Sequence, residues 1–129
     1  MNRKMDMSNT FVWVDIPVAD LDRAIRFYSA VVGRPVGRIG GPGFNFGLFE
    51  HHGGEVGGCL IEPEEGVAPS MTGPLVYIDA SGRLDAAVAA AQANGGKVLK
   101  GKHSIAPNGF RAIIADTEGN RVALHSMTA

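Results

Sequence analysis

Apolar and polar positions along this chain fall into one pattern that occurs twice. Residues 12–33 read VWVDIPVADLDRAIRFYSAVVG and residues 76–96 read VYIDASGRLDAAVAAAQANGG. Each copy opens with a β-branched and aromatic run that ends in an acidic residue. A Leu-Asp helix start follows (Leu21-Asp22, Leu84-Asp85), then one amphipathic helix and a glycine stop. About three further extended segments joined by Gly-rich turns follow each stop. A unit of ~60 residues in the order β-α-β-β-β cannot bury its own sheet and helix alone, so the second copy is the natural partner.

In the first copy, residues 11–18 suit a strand that Pro17 brings to a close. Asp20 is a helix N-cap, and Leu21, Ala24, Ile25, Tyr28, Val31 and Val32 follow the three-four spacing of one buried face. Gly33 supplies a left-handed stop and Pro35 prevents continuation. Strands are predicted at 36–39, 44–50 and 56–62, with turns at 40–43 and 51–54. The polar, proline-bearing stretch after Glu62 reads as a linker. In the second copy, strands are predicted at 75–79, 97–100, 110–115 and 121–126. The second helix buries Leu84, Ala87, Val88 and Ala91, a thin alanine-rich face that can lie close to a sheet. Residues 116–120 join the last two strands as a hairpin turn; they lack the alternating oxygen donors and later glutamate of a calcium loop. The predicted class is α+β: one domain over 1–129, with module one at about 9–62, a linker at about 63–70 and module two at about 71–127. The modules form a curved mixed sheet with a helix on each convex side, and each module's first strand pairs in parallel with its fourth.

Composition narrows the function. A chain of 129 residues holds one substantial core, and a formal charge of −1 with mixed signs gives no case for nucleic acid or an acidic membrane surface. The single cysteine, Cys59, has no intramolecular disulfide partner, which predicts a reducing cytoplasmic setting. No apolar run approaches the ~18 residues of a membrane span, and the Met1–Asp6 start lacks the apolar stretch of a signal peptide.

The Val-Ala-Asp-Leu-Asp-Arg-Ala-Ile-Arg-Phe-Tyr segment at 18–28, the paired modules, and the Asp-x-Glu-Gly-Asn-x-Val-x-Leu run at 116–124 resemble the vicinal oxygen chelate superfamily. That superfamily includes glyoxalase I, extradiol dioxygenases, and the fosfomycin and bleomycin resistance proteins. The resemblance implies a concave sheet around a cavity and a divalent metal held by His, Gln and Glu, two from each module. The matching positions here are Trp13, Gly73 (or Pro74), a position near Gly58, and Ala123. None offers a side-chain donor, so no metal and no other cofactor is expected.

If those positions face the cavity, strand alternation brings Asp15 and His125 inward with Trp13 and Ala123. A carboxylate that orients an imidazole is an acid/base pair, so Asp15 and His125 are the catalytic candidates; a hydrogen-bonded structural role competes with that reading. Trp13, Phe46, Leu60, Tyr77 and Phe110 are the ligand-binding candidates, with core packing as the alternative. Phe44 and Phe46 share one face of their strand and Phe49 takes the other. The cluster from Glu50 to Glu55 contains His51 and His52 but reads as a solvated hairpin tip. His103 reads as a solvated loop residue, and Cys59, following Gly58, as pointing away from the cavity.

Three functions are open. One is a metal-free protein that binds a small, partly apolar molecule between modules or across a homodimer interface. The second is a metal-independent enzyme using Asp15 and His125, with glyoxalase-like lyase or isomerase-type chemistry. The third is a metal-dependent lyase or dioxygenase with unconventional ligands such as His51 and His52. A homodimer is expected, because an open curved sheet leaves edge strands and an apolar rim uncovered.

Overall fold

The computed structural model describes residues 9–129, so the Met1–Asp6 start lies outside the described residues. The elements run β1 (Trp13–Pro17), α1 (Leu21–Val32), β2 (Gly37–Gly41), β3 (Phe44–Leu48) and β4 (Gly57–Ile61). Then come β5 (Val76–Asp79), α2 (Leu84–Ala93), β6 (Lys97–Ser104), β7 (Phe110–Ala115) and β8 (Arg121–Ser126). The order is βαβββ twice, and first and fourth strands pair in parallel, Asp15 beside Cys59 and Tyr77 beside Ala123.

Local chemistry sets the helix ends as the spacing predicts. Asp20 accepts the Arg23 N–H at 3.1 Å, and Gly33 closes α1 at φ 75° while its N–H reaches the Ser29 carbonyl at 3.0 Å. The buried face of α1 is wider than the periodicity implied. Phe27 is fully buried, whereas Ile25 and Val32 are half-buried. The reason is that α1 is covered from two directions.

Hydrogen bonding does not run continuously across the modules. The strands form two four-stranded sheets, ordered β1-β4-β3-β2 and β5-β8-β7-β6, and the helices are not confined to their own modules. Leu21, Ala24, Phe27, Tyr28 and Val31 of α1 share one core with Leu84, Ala87 and Ala91 of α2. Ile16 and Leu60 of the first sheet, Val18 just after β1, and Ala112, Ile114, Val122 and Leu124 of the second sheet complete it. The guanidinium of Arg83, the residue before α2, donates to the Val31 carbonyl at 2.6 Å. Small side chains permit this approach: a Cβ at Gly96 would lie 2.7 Å from the Phe27 ring and 2.8 Å from the Ala115 carbonyl oxygen.

A buried polar knot clamps the junction. Tyr28 Oη donates to Asp116 at 2.6 Å, and Asn120 bridges Asp116 at 3.0 Å to the Pro17 carbonyl at 2.8 Å. Glu118 accepts the N–H groups of Ala19 and Asp20 at 2.9 and 2.8 Å, at the start of α1. The hairpin of residues 116–120 is thus the lock between modules, because Glu118 satisfies backbone donors at the start of α1 and Asp116 satisfies the buried Tyr28 hydroxyl.

Candidate functional site

Strand alternation divides each sheet into a face toward the shared core and a face away from it. On the first sheet, Val14, Ile16 and Leu60 face the helices, and Trp13, Asp15, Cys59, Phe46 and Leu48 take the outer face. On the second, Ile78, Leu124 and Phe110 face the core, and Tyr77, Asp79, Ala123, His125, Arg111 and Ile113 take the outer face. Trp13 is 44% exposed and Tyr77 47%, so both outer faces present aromatic surface to solvent.

This division corrects several expectations. Leu60 is completely buried and packs under α1, so it is a core residue and not part of a binding face. Phe110 pairs with Ser126 and packs against the core, one step out of phase with Tyr77. Cys59 sits beside Asp15 on the outer face, not away from it, because parallel partners share a face. Gly58 is the inward-facing residue, and a Cβ there would meet the Val14 carbonyl oxygen at 2.7 Å. Phe44 and Phe46 do lie on one face, with ring centroids 6.1 Å apart, and Phe49 packs on the other against Tyr28.

Asp15 and His125 are not brought together within one chain. Asp15 accepts from the Trp13 indole N–H at 3.1 Å and from the Cys59 thiol at 3.3 Å. Burial, and then the adjacent Asp15 carboxylate, push that thiol up to about 11, although Trp13 works in the opposite direction. Cys59 is therefore a protonated donor at neutral pH. His125 lies on the other sheet, where its Nε2 approaches the Asn108 carbonyl oxygen at 2.7 Å and its ring stands 6.0 Å from Tyr77. A carbonyl accepts, so Nε2 carries the proton and Nδ1 is left as the basic nitrogen.

Several residues matter more than their sequence context implied. His51 is half-buried, edge-on to Trp13 at 5.3 Å, with a ring nitrogen 3.2 Å from the Phe49 carbonyl oxygen. Gly57 makes room for it, since a Cβ there would lie 2.9 Å from the imidazole. His103 belongs to strand β6, not a loop, because β6 extends to Ser104 through two irregularities in its pairing. Its Nδ1 lies 2.8 Å from the Gly101 carbonyl oxygen, and its Nε2 accepts the Arg111 Nε–H at 3.0 Å. Arg111 also donates from Nη1 to Tyr77 Oη at 2.5 Å. Asp79 accepts from the Ser81 hydroxyl and, at 2.9 Å, the Ser81 N–H; these bonds, helped by the charges of Arg34 and His125, lower its pKa.

A cavity of about 280 Å³ lies where the edge strands β1 and β5 approach each other. Val14, Ile16, Pro35, Val36, Phe49 and Ile78 form its apolar wall, and Arg34, Glu50, His51, Tyr77 and Asp79 add polar groups. Its lining combines core-facing Val14, Ile16 and Ile78 with Tyr77 and Asp79 of the outer face. Among the described residues, no three His, Cys, Asp or Glu side chains are grouped to hold a metal ion, so the residues present do not fit the superfamily's metal. Also among the described residues, no helix is long and apolar enough to cross a membrane.

Comparison with known proteins agrees with this architecture. The family model described as "Glyoxalase/Bleomycin resistance protein/Dioxygenase superfamily" matches residues 10–124. The chain is 31% identical over 113 residues to the protein named "Putative glyoxylase CFP32" in Mycobacterium bovis, and equally to its namesake in Mycobacterium tuberculosis. The match covers 87% of this chain but only 42% of those relatives' length. A glyoxalase/bleomycin resistance protein structure from Albidiferax ferrireducens superposes with a TM-score of 0.74 at 22% identity, covering 92% of this chain and 98% of the other. A family enzyme from Burkholderia phytofirmans gives 0.68 at 20% identity, covering 89% and 96%. These structures share the fold, and the sequence match spans most of the chain. The chain belongs to the glyoxalase/bleomycin resistance protein/dioxygenase superfamily.

Proposed function

We propose that the protein binds a small, partly apolar molecule against the outer faces of its sheets, without the superfamily's metal. Two copies of the chain come together to enclose that molecule. One observation supports this reading above the others. The aromatic groups suited to a cavity wall, Trp13 and Phe46 on one sheet and Tyr77 on the other, lie on faces turned away from the shared core. A two-fold pair sets the first-module face of one copy against the second-module face of the other, twice over, and so closes. Covering those rings removes apolar area from water at ~25 cal/mol per Å². The setting is the cytoplasm, where the lone Cys59 remains a thiol.

A second reading, acid/base catalysis by Asp15 and His125, draws support from the basic Nδ1 of His125. On this fold it also needs two copies, because the two residues occupy the outer faces of different sheets.

Trp13 is the only tryptophan, which makes its emission a reporter of the first outer face. Titration with planar aromatic compounds should change that emission saturably, with the same midpoint after chelator treatment. Light scattering should give twice the 13.5 kDa chain mass at micromolar concentration. A monomer, or emission indifferent to every apolar probe, would defeat the proposal.

A further inference from the structure

We infer that Arg111 is an anion-binding group, and that the molecule bound on the outer face of the second sheet carries a carboxylate or a similar oxyanion. The inference rests on the binding role proposed above and adds the chemical class of the ligand.

Arg111 is half-buried on β7, and its position is determined by neutral partners alone. Its Nε–H is taken by His103 Nε2 at 3.0 Å and one Nη1–H by Tyr77 Oη at 2.5 Å. Its guanidinium carbon lies 5.9 Å from the centre of the Tyr77 ring. His103 is held as the tautomer that accepts from Arg111, because its Nδ1 faces the Gly101 carbonyl oxygen. The remaining Nη1–H and both Nη2–H groups, the end of the fork that matches a carboxylate, have no protein acceptor among the described residues.

Among the described residues, no ion pair neutralises this charge. The salt bridges among the described residues engage Arg23, Arg34, Arg38 and Lys102, and none involves Arg111. The surroundings add positive charge. Strand register sets Lys100 opposite Ile113, two residues along β7 from Arg111, on the same outer face. Asp79, a carboxylate on that face, accepts its hydrogen bonds from Ser81 and none from Arg111. A permanently charged guanidinium that is oriented, partly desolvated and unpaired is prepared for an anion: the cost of ordering it is met within the fold, and its charge is unspent. Beside it, Tyr77 and Ile113 offer apolar surface for the rest of an acidic molecule.

The test compares 2-naphthoate with 2-naphthamide, which share a ring system and differ in charge, by calorimetric titration of the full chain. The wild type should prefer the naphthoate by at least tenfold, and that preference should shrink as salt rises. Arg111→Gln should reduce naphthoate binding to the level of the amide and leave amide affinity within about twofold. Arg111→Lys, which keeps the charge but loses the fork, should fall between the two. Equal binding of both compounds by the wild type, or a preference that survives in Arg111→Gln and Arg111→Lys alike, overturns the anion site and spares the apolar one. Failure of both compounds to bind overturns both.

Discussion

The Glu118 carboxylate, on a side chain with no solvent exposure, accepts the Nε–H and an Nη2–H of Arg23 at 2.7 and 2.8 Å across the module boundary. The same group receives the Thr117 hydroxyl at 2.6 Å and the backbone N–H groups of Ala19 and Asp20. Burial by itself would raise its pKa. The Arg23, Thr117 and backbone hydrogen bonds outweigh it and bring the carboxyl down to about 2. Glu118→Gln retains the size, removes the charge and turns one acceptor into a donor. It should cost about 2 kcal/mol, seen as a fall in Tm of roughly 5–10 °C in a thermal melt. A melt unchanged within error would show that the contact is not structural.

The same carboxylate sets a pH dependence. Its folded pKa of about 2 lies below its ordinary value of 4.5. The stability it contributes is therefore complete above about pH 4.5 and is lost as pH falls toward 2. Denaturant unfolding of wild type and Glu118→Gln should differ at pH 6 and converge as pH approaches 2. Curves that stay parallel across that window would contradict the assignment.

Cys59 should resist alkylation. With its thiol pushed up to about 11, the thiolate fraction at pH 8 is about a thousandth. Iodoacetamide labelling followed by mass spectrometry should rise about tenfold per pH unit from 8 to 10. Asp15→Asn removes a carboxylate that raises the thiol's pKa, and should speed labelling at pH 8. Rapid labelling of wild type at pH 7 would disprove the protonated, shielded thiol.

Mixed dimers test whether the binding faces come from different chains. Asp15→Asn and His125→Ala should each weaken ligand binding at least tenfold with Tm unchanged, if either residue contacts the ligand. In a dimer with one subunit of each kind, a composite arrangement leaves one site doubly altered and the other intact. Mixing the two variants should therefore restore wild-type affinity in a fraction of sites, read from Trp13 emission. No recovery after subunit exchange would place each site within a single chain. A lowered Tm with unchanged binding would make both residues structural.

The doubled module, the helix caps and the first-to-fourth strand pairing were legible in the sequence because each depends on nearby residues. Asp20 and Gly33 terminate α1 through bonds that span one turn, and apolar spacing alone names Leu84, Ala87 and Ala91 as the buried face of α2. The motif segments at 18–28 and 116–124 likewise identified the family. What the chain could not reveal was how one module meets the other. Asp116 and Glu118 read as a polar hairpin tip until Tyr28, Arg23 and the start of α1, about 90 residues away in sequence, are seen to satisfy them. Leu60 and Phe110 turn toward the core for a related reason: a one-residue shift of phase exchanges core for surface, and the phase is set by strand pairing across the sheet. The separation of Asp15 from His125 and the meeting of Tyr77, His103 and Arg111 are results of packing. Sequence periodicity determines which residues share a strand face, but only the closing of the core around both helices decides which faces meet.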